Sequence, residues 1–222
     1  MKNYAIPVLL LLTSCKTYHY ITPTINTAMF SKAGEVQAGL QFGSAGIAAN
    51  GGVAISKNIN INGYASFFPE TDNGYNSREL EFSLGYQINS GGNKKRATSF
   101  FLGLGSGNNE YDKKGLAGRF TRPFLQIQHG IYDRKSSGLP GAFDFFFGTR
   151  FNYLVYNGTL ESNDFDDEVI YWEPYYGFSF GGSNLRCQFL MGIPVKMDNR
   201  DVGVRVLPIF ANIGLQVKFR KR

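Results

Sequence analysis

What most constrains this chain is an alternation of period two that recurs from residue 34 to the end. Val36, Ala38, Leu40 and Phe42 interleave with Glu35, Gln37, Gly39 and Gln41. Only an extended strand, whose successive side chains point to opposite faces, can use that pattern. Ile59, Ile61, Ala65 and Phe67 oppose Asn60, Asn62, Tyr64 and Ser66, and Leu80, Phe82, Leu84 and Tyr86 oppose Glu79, Glu81, Ser83 and Gly85. Similar segments surround 125–131, 143–153, 172–180, 187–193 and 209–219, although Phe146 spoils the polar face of its segment. Two weaker stretches, 46–55 and 98–108, bring the count to ten strands, with eight as the alternative. No segment shows helical spacing, and the 27 glycines, each costing a helix interior roughly 1 kcal/mol, argue the same way.

The chemistry of the two faces decides the kind of β protein. In a soluble sandwich the apolar faces meet each other and the outer faces carry Lys, Glu and Thr into water. Here only 18% of residues are charged, 15% are aromatic, and the second face is Gly, Gln, Asn and Ser with isolated charges. Small polar residues suit the crowded interior of a narrow barrel, and an aromatic-rich face suits lipid. The expected fold is therefore all-β: a closed, antiparallel, up-and-down transmembrane barrel. A soluble periplasmic β-sandwich is the competing architecture.

The N-terminus supplies a location. Lys2 precedes an eight-residue apolar run, Ala5 to Leu12, too short for a transmembrane helix but suited to a signal peptide. Leu12-Thr13-Ser14-Cys15 then matches a bacterial lipobox, predicting a signal peptide over 1–14 and palmitate-type acylation at Cys15. Acylation would leave Cys187 without a disulfide partner. Residues 15–33, with Pro23 and no periodicity, read as a lipidated tether, and 34–222 as the barrel.

Placing the anchored N-terminus in the periplasm predicts outside connections at 44–46, 69–77, 108–118, 157–168 and 196–203. Inside turns fall at 56–58, 89–97, 133–142 and 182–184. Acidic residues collect in the first set and basic residues in the second and in the tail Arg220-Lys221-Arg222. The net charge of +6 thus sorts by side, and the lysines lack the interleaved aromatics of a nucleic-acid surface. No nucleic-acid partner is expected.

With the lipobox, the tether segment Asn26-Thr27-Ala28-Met29-Phe30-Ser31-Lys32-Ala33-Gly34-Glu35-Val36-Gln37 and the final strand Leu215-Gln216-Val217-Lys218-Phe219, the layout resembles the small lipidated outer-membrane β-barrel proteins of the Bacteroidota. The resemblance implies a fold and a location in the bacterial outer membrane. It implies no activity.

Candidate sites are sparse. His129 with Ser136 and Ser137 does not reproduce the spacing of a lipid deacylase, and no catalytic residue, cofactor or enzyme activity is expected. Parity puts Glu35, Glu79, Glu81, Asp144, Arg150, Glu173, Arg186 and Lys218 inside the barrel as a charge network. Ten strands lie close to the eight whose interior side chains can fill, so a filled lumen is expected and a small pore is the alternative. Arg78, Arg119, Arg122 and Arg205, at predicted outer strand ends, are candidates for contact with lipid phosphates, including those of lipopolysaccharide. Glu161, Asp164, Asp166, Asp167 and Glu168 form an acidic loop without the ligand order of a calcium loop, so no metal is assigned. The expected role is non-enzymatic, with surface loops serving recognition of an unknown extracellular ligand or envelope maintenance.

Overall fold

The computed structural model describes residues 25, 27, 29, 30, 32–44, 46–70, 74–90, 95–112, 115–132, 142–161, 163–182, 184–198 and 209–219. The strands are β1 (Val36–Gly43), β2 (Gly46–Ala54), β3 (Ile59–Phe68), β4 (Tyr75–Ser90), β5 (Lys95–Tyr111), β6 (Leu116–Tyr132), β7 (Ala142–Leu160), β8 (Asn163–Gly181), β9 (Leu185–Gly192), β10 (Val195–Lys196) and β11 (Phe210–Phe219). Each pairs antiparallel with its sequence neighbour from β1 to β9. The sheet closes because β11 pairs with both β1 and β9.

β9 and β10 are two parts of one strand. Tyr175 faces Gly192 and Trp172 faces Val195 in a single register, and the break falls at Pro194, which has no N–H to give the ladder. The result is a closed antiparallel barrel of ten strands, and the sandwich alternative is excluded by that closure.

The alternation in the sequence becomes the two faces of the wall. Leu102, Phe82 and Ile213 are more than 60% exposed, and they belong to a belt of outward Val, Ile, Leu, Phe and Tyr covering every long strand. A water-soluble monomer does not present apolar surface on that scale, whereas a membrane barrel needs it. The inward face holds Gln37, Gln41, Asn60, Asn62, Gln126, Gln128, Gln188 and Asn212, all buried.

Inward glycines leave room for inward rings on the next strand. A Cβ on Gly177 would collide with the Phe146 ring, one on Gly192 with Phe210, and one on Gly148 with Tyr175. These pairs let large rings lie across a narrow lumen.

The two ends of the barrel differ. At the near end, where β1 begins and β11 finishes, apolar outward residues run to the strand termini: Val36, Ile59, Ile88, Phe143, Leu185 and Phe219 are exposed. At the far end β4 to β8, of 16–19 residues each, outgrow β1 to β3, of 8–10 residues. There the exposed residues become polar, with Arg78, Glu110, Arg119, Asn157, Asp164, Asp166 and Glu168. Inside this projecting wall Phe120, Leu154, Tyr156, Val169 and Tyr171 form a buried cluster, with Phe165 packed against it. The Phe165 ring stacks on Tyr156 at 5.5 Å between centroids.

That cluster explains a correction to the expected loops. Most of 108–118 and 157–168 is strand: Tyr156 faces Asp167, Asn157 faces Asp166 and Thr159 faces Asp164 in the β7–β8 ladder. Backbone pairing continues beyond the apolar belt because the inward residues there still bury one another. The carboxylates of Asp164, Asp166, Asp167 and Glu168 are therefore spread along a strand, and only Glu161 stands in the turn.

Candidate functional site

The largest departure from the sequence reading is at the N-terminus. Residues 15–33 read as a tether outside the fold, but Ile25, Thr27, Met29 and Phe30 are 0–6% exposed and lie within the barrel. A segment entering a sheet-lined interior brings backbone N–H and C=O groups that need partners, and no free sheet edge exists there to supply them. Glutamine side chains do so. Met29 donates its N–H to Gln37 Oε1 at 3.3 Å and its carbonyl accepts from Gln37 Nε2. Phe30 donates to Gln87 Oε1 at 3.1 Å and accepts from Gln87 Nε2.

Each amide thus offers one acceptor and one donor, as a neighbouring strand would. Because consecutive residues of an extended chain direct their backbone groups to opposite sides, Gln37 on β1 and Gln87 on β4 serve the consecutive residues Met29 and Phe30. Further along, Thr27 carbonyl accepts from Gln128 Nε2 at 3.4 Å, and Thr27 Oγ1 accepts from Gln188. The side chains of this strap join the wall: Ile25 and Met29 belong to a buried cluster with Ala97, Phe146, Tyr175, Leu190 and Phe210. Phe30 packs with Ala54. The Phe30 ring also sits where a side chain on Gly52 would be. Phe146, anomalous on a polar face when read in sequence, is part of that packing.

The second feature is a charge network. Arg122 Nη2 lies 2.7 Å from Glu79 Oε1 and 2.8 Å from Glu81 Oε2, while its Nη1 donates to Asn152 Oδ1. Arg150 donates to Glu81 Oε2 at 3.0 Å, to Glu81 Oε1 at 3.2 Å and, through Nε and Nη2, to Gln126 Oε1. Its guanidinium stands 4.3 Å from the centre of the Phe124 ring, and that of Arg122 5.5 Å. Glu173, 1% exposed, faces Arg150 across the β7–β8 register. Both guanidinium carbons are fixed by at least two groups, so the network ties β4 to β6 and β7 through the lumen.

All eight charges assigned to the lumen are buried. Six of them fall into two groups: Glu79, Glu81, Arg150 and Glu173 in the network, and the Arg186–Asp144 pair elsewhere on β9 and β7. Glu35 accepts from Gln37 Nε2 at 3.2 Å, beside the strap, and Lys218 is buried on β11.

The arginine set is corrected in part. Arg122 was expected at a lipid-facing strand end but is 0% exposed inside the network. The reason is that β6 continues six residues past it, to Leu116, and its parity is that of Phe120, Phe124 and Gln126. Arg78 and Arg119 are exposed on the outer wall, Arg78 over the Phe67 ring at 5.6 Å. Arg205, Cys15, the signal-peptide segment 1–14, Ser136 and Ser137 lie outside the described residues. His129 shares a 2.9 Å hydrogen bond with Thr98 Oγ1 and rests 5.5 Å from the Phe147 ring. Among the described residues no group of three or more His, Cys, Asp or Glu is placed to hold a metal ion.

Period two places Gln37 on the polar face of its strand, and the same parity places Gln87, Gln128 and Gln188 on the polar faces of theirs. The available signal was their shared chemistry at inward positions of four different strands.

No protein-family model matches the chain, and neither does any curated protein. Among solved structures, the translocator domain of autotransporter NalP from Neisseria meningitidis aligns over 83% of this chain and 85% of its own, with 11% identity and a TM-score of 0.40. The KdgM porin in complex with disordered oligogalacturonate aligns over 84% of this chain and 99% of its own, with 11% identity and a TM-score of 0.33. The chain has an outer-membrane-type β-barrel fold, and that statement rests on its own closed sheet and apolar belt.

Proposed function

We propose that this chain is a non-enzymatic outer-membrane barrel, acylated at Cys15, whose lumen is closed and whose far-end hairpins form the working surface. The observation that carries this reading is the strap: Ile25, Thr27, Met29 and Phe30 occupy the lumen, with backbone groups of Thr27, Met29 and Phe30 bonded to Gln128, Gln37 and Gln87 and the Thr27 hydroxyl accepting from Gln188. The buried Arg–Glu network bridges the lumen from β4 to β6 and β7. A barrel built for flux would keep its interior hydrated, and one used as a scaffold gains stability by filling it.

The near end faces the periplasm in this reading. Bacterial barrels keep short turns on that side and raise their longer structures outside, and here only the far end projects beyond the apolar belt. The exposed Asp164, Asp166 and Glu168 of β8 and Arg119 of β6 would then meet the surroundings, either an extracellular ligand or the phosphates of lipopolysaccharide.

Single-channel recording of the full-length protein in planar bilayers tests the closed lumen. The expected trace lacks steps of porin size. Regular, large steps from the intact protein would remove the scaffold reading and leave the small pore in its place.

A further inference from the structure

We propose that the outer wall of β2 to β6 seats one lipopolysaccharide molecule, with a phosphate held between Arg78 and Arg119 and an acyl chain lying in a trough that runs down β2 and β3. The inference rests on the orientation given above, far end outside. It deepens that reading by joining two exposed arginines and an apolar groove into a single site.

The headgroup half of the site comes from the strand register. Phe67 faces Arg78 across β3–β4, Arg78 faces Asn108 across β4–β5, and Asn108 faces Arg119 across β5–β6, so these residues stand in one outward row. Neighbouring strands lie about 4.8 Å apart, which puts the Arg78 and Arg119 backbones roughly 10 Å from each other with the Asn108 amide between them. Long side chains rooted at that spacing can close on one phosphate, and the planar fork of each guanidinium suits phosphate oxygens bidentately. Both arginines are exposed, and among the described residues neither is in an ion pair. Glu110, the next outward residue beyond Asn108 on β5, accepts from Asn76 Nδ2 at 3.3 Å. Past Arg119 the row continues to Asn157 and then Asp166, so its acid stands on the side away from Arg78. The row also lies at the edge of the apolar belt: the next outward pair down is Ser106 with Thr121, and the one after it Leu104 with Pro123. Lipid phosphates lie at that level of a barrel wall.

The acyl half begins at the same arginine. Arg78, Phe67, Leu80, Ala65, Ser106 and Asn108 border a hollow of about 480 Å³ on the outer wall, and Leu80, Ala65, Gly63, Gly51, Val53 and Phe82 border a second of about 560 Å³. Because both include Ala65 and Leu80, they form one trough headed by Arg78. Its floor is low where Gly51 faces Gly63 and Ala49 faces Ala65 across β2–β3, and exposed Leu80 and Phe82 of β4 rise beside it. From Ile61 to Phe67 the trough follows β3 for roughly 20 Å of a ~25 Å apolar belt. Charge decides the occupant. A second copy packed symmetrically on this wall would bring the same cationic row to the same height, like charge against like, whereas a phosphorylated lipid brings the opposite charge to the head of the groove and an alkyl chain to its length.

The test is native mass spectrometry of the full-length barrel in detergent micelles, titrated with diphosphoryl lipid A, the part of lipopolysaccharide that carries both phosphates and acyl chains. The expected result is a single adduct on the unaltered protein. Arg78→Ala with Arg119→Ala should weaken it by roughly tenfold or more, and Ala65→Phe, which fills the trough, should do the same. Ile213→Phe adds a ring to the exposed face of β11 and should leave the adduct unchanged. Heat-modifiable gel migration verifies folding, and Gly63→Leu replaces Ala65→Phe should the latter not fold. Unchanged binding by the trough variant would overturn the acyl half, and equal binding of lipid A stripped of its phosphates would overturn the headgroup half. Equal loss with Ile213→Phe, or serial adducts with no preferred first one, would reduce the contact to a non-specific lipid shell. A dimer that Ala65→Phe dissolves would put a second barrel in the trough, and phosphatidylglycerol binding as tightly as lipid A would remove the assignment to lipopolysaccharide. The orientation fails separately: labelling of Lys57→Cys in a Cys187→Ser background by an impermeant maleimide in intact cells would put the near end outside. The titration, made in micelles that have no sides, still scores the site.

Discussion

Replacing Arg150 with methionine should be among the most damaging single changes in the barrel, and more damaging than removing the acid it pairs with. Arg150 gives two hydrogen bonds to Glu81 and two to Gln126, and it covers the Phe124 ring. The network as described holds three carboxylates, Glu79, Glu81 and Glu173, against two guanidiniums, Arg122 and Arg150. Arg150→Met leaves three acids facing one arginine. Breaking a buried pair by removing one partner costs about 3–5 kcal/mol, because the survivor stays desolvated without compensation.

Glu81→Gln works in the other direction. It removes one carboxylate, keeps an acceptor toward both arginines, and should cost only the difference between a charged and a neutral hydrogen bond, roughly 1–2 kcal/mol. With Glu81 already neutral, Arg150→Met strands one fewer charge, so the double variant should be no worse than Arg150→Met alone. The coupling between the two sites should then be about 1–2 kcal/mol. Urea unfolding from detergent micelles, followed by the fluorescence of the single tryptophan, Trp172, measures all three variants. Trp172 lies on the outer wall next to Glu173, so it reports the wall without being part of the network. If Glu81→Gln costs as much as Arg150→Met, or if the two effects add, the charge imbalance is not what the network answers to.

Other outcomes follow from the same contacts. Gln37→Ala with Gln87→Ala should leave four backbone groups of Met29 and Phe30 without their partners, at about 1–3 kcal/mol each. Hydrogen exchange at those two amides should quicken by tenfold or more, and unchanged protection would refute the clasp. Gly192→Ala should destabilise by ~1–3 kcal/mol because the Phe210 ring occupies the space of the new methyl, whereas Gly63→Ala, whose nearest atom is 3.7 Å from that position, should be neutral; equal midpoints would show that ring and glycine are not matched. Arg78→Ala with Arg119→Ala should reduce lipopolysaccharide co-purifying with the barrel, as read by silver staining, while Arg122→Ala should instead lower stability; equal lipid loss in both would restore Arg122 to the lipid face.

Much of the wall was legible because period two is a strong code. Once Val36 is outward, Gln37 and Gln41 must be inward, and the eight interior charges follow by counting. Arg122 escaped because the strand was started at Leu125; carrying the parity of Gln126 back by four residues puts Arg122 inside. The acidic stretch at 157–168 escaped for a related reason. Charge density reads as loop, but the inward Tyr156, Val169 and Tyr171 bury one another and keep the ladder paired past the belt. The strap was not legible from its own residues. Ile25, Thr27, Met29 and Phe30 show no period, since their partners are wall side chains supplied from residues 37 to 188.

The wall, however, does announce a guest. A lumen that needs only to be filled can use rings against glycines, as Phe146 does over Gly177, and a lumen that needs cross-bracing can use Arg and Glu, as Arg122 and Glu79 do. Neither task calls for glutamine in particular. Primary amides are the side chains that present a donor and an acceptor side by side, matching the N–H and C=O of a peptide, and a buried amide left unmatched costs about 1–3 kcal/mol. Gln37, Gln87, Gln128 and Gln188 come from β1, β4, β6 and β9, too far apart around the barrel for all of them to satisfy one another in pairs. Each also meets the wall, Gln37 accepting from Gln216 at 3.3 Å, Gln87 from Ser99 at 3.4 Å, Gln128 from Tyr175 at 3.0 Å and Gln188 from Gln41 at 3.3 Å, so an extended segment matches the hydrogen-bonding capacity that the wall leaves over. Removing the segment should expose the cost of leaving that capacity unmatched: a chain lacking residues 16–30 should fold less stably than one in which the four glutamines are also changed to leucine. If the leucine changes make the shortened chain worse, the glutamines serve the wall and not the strap.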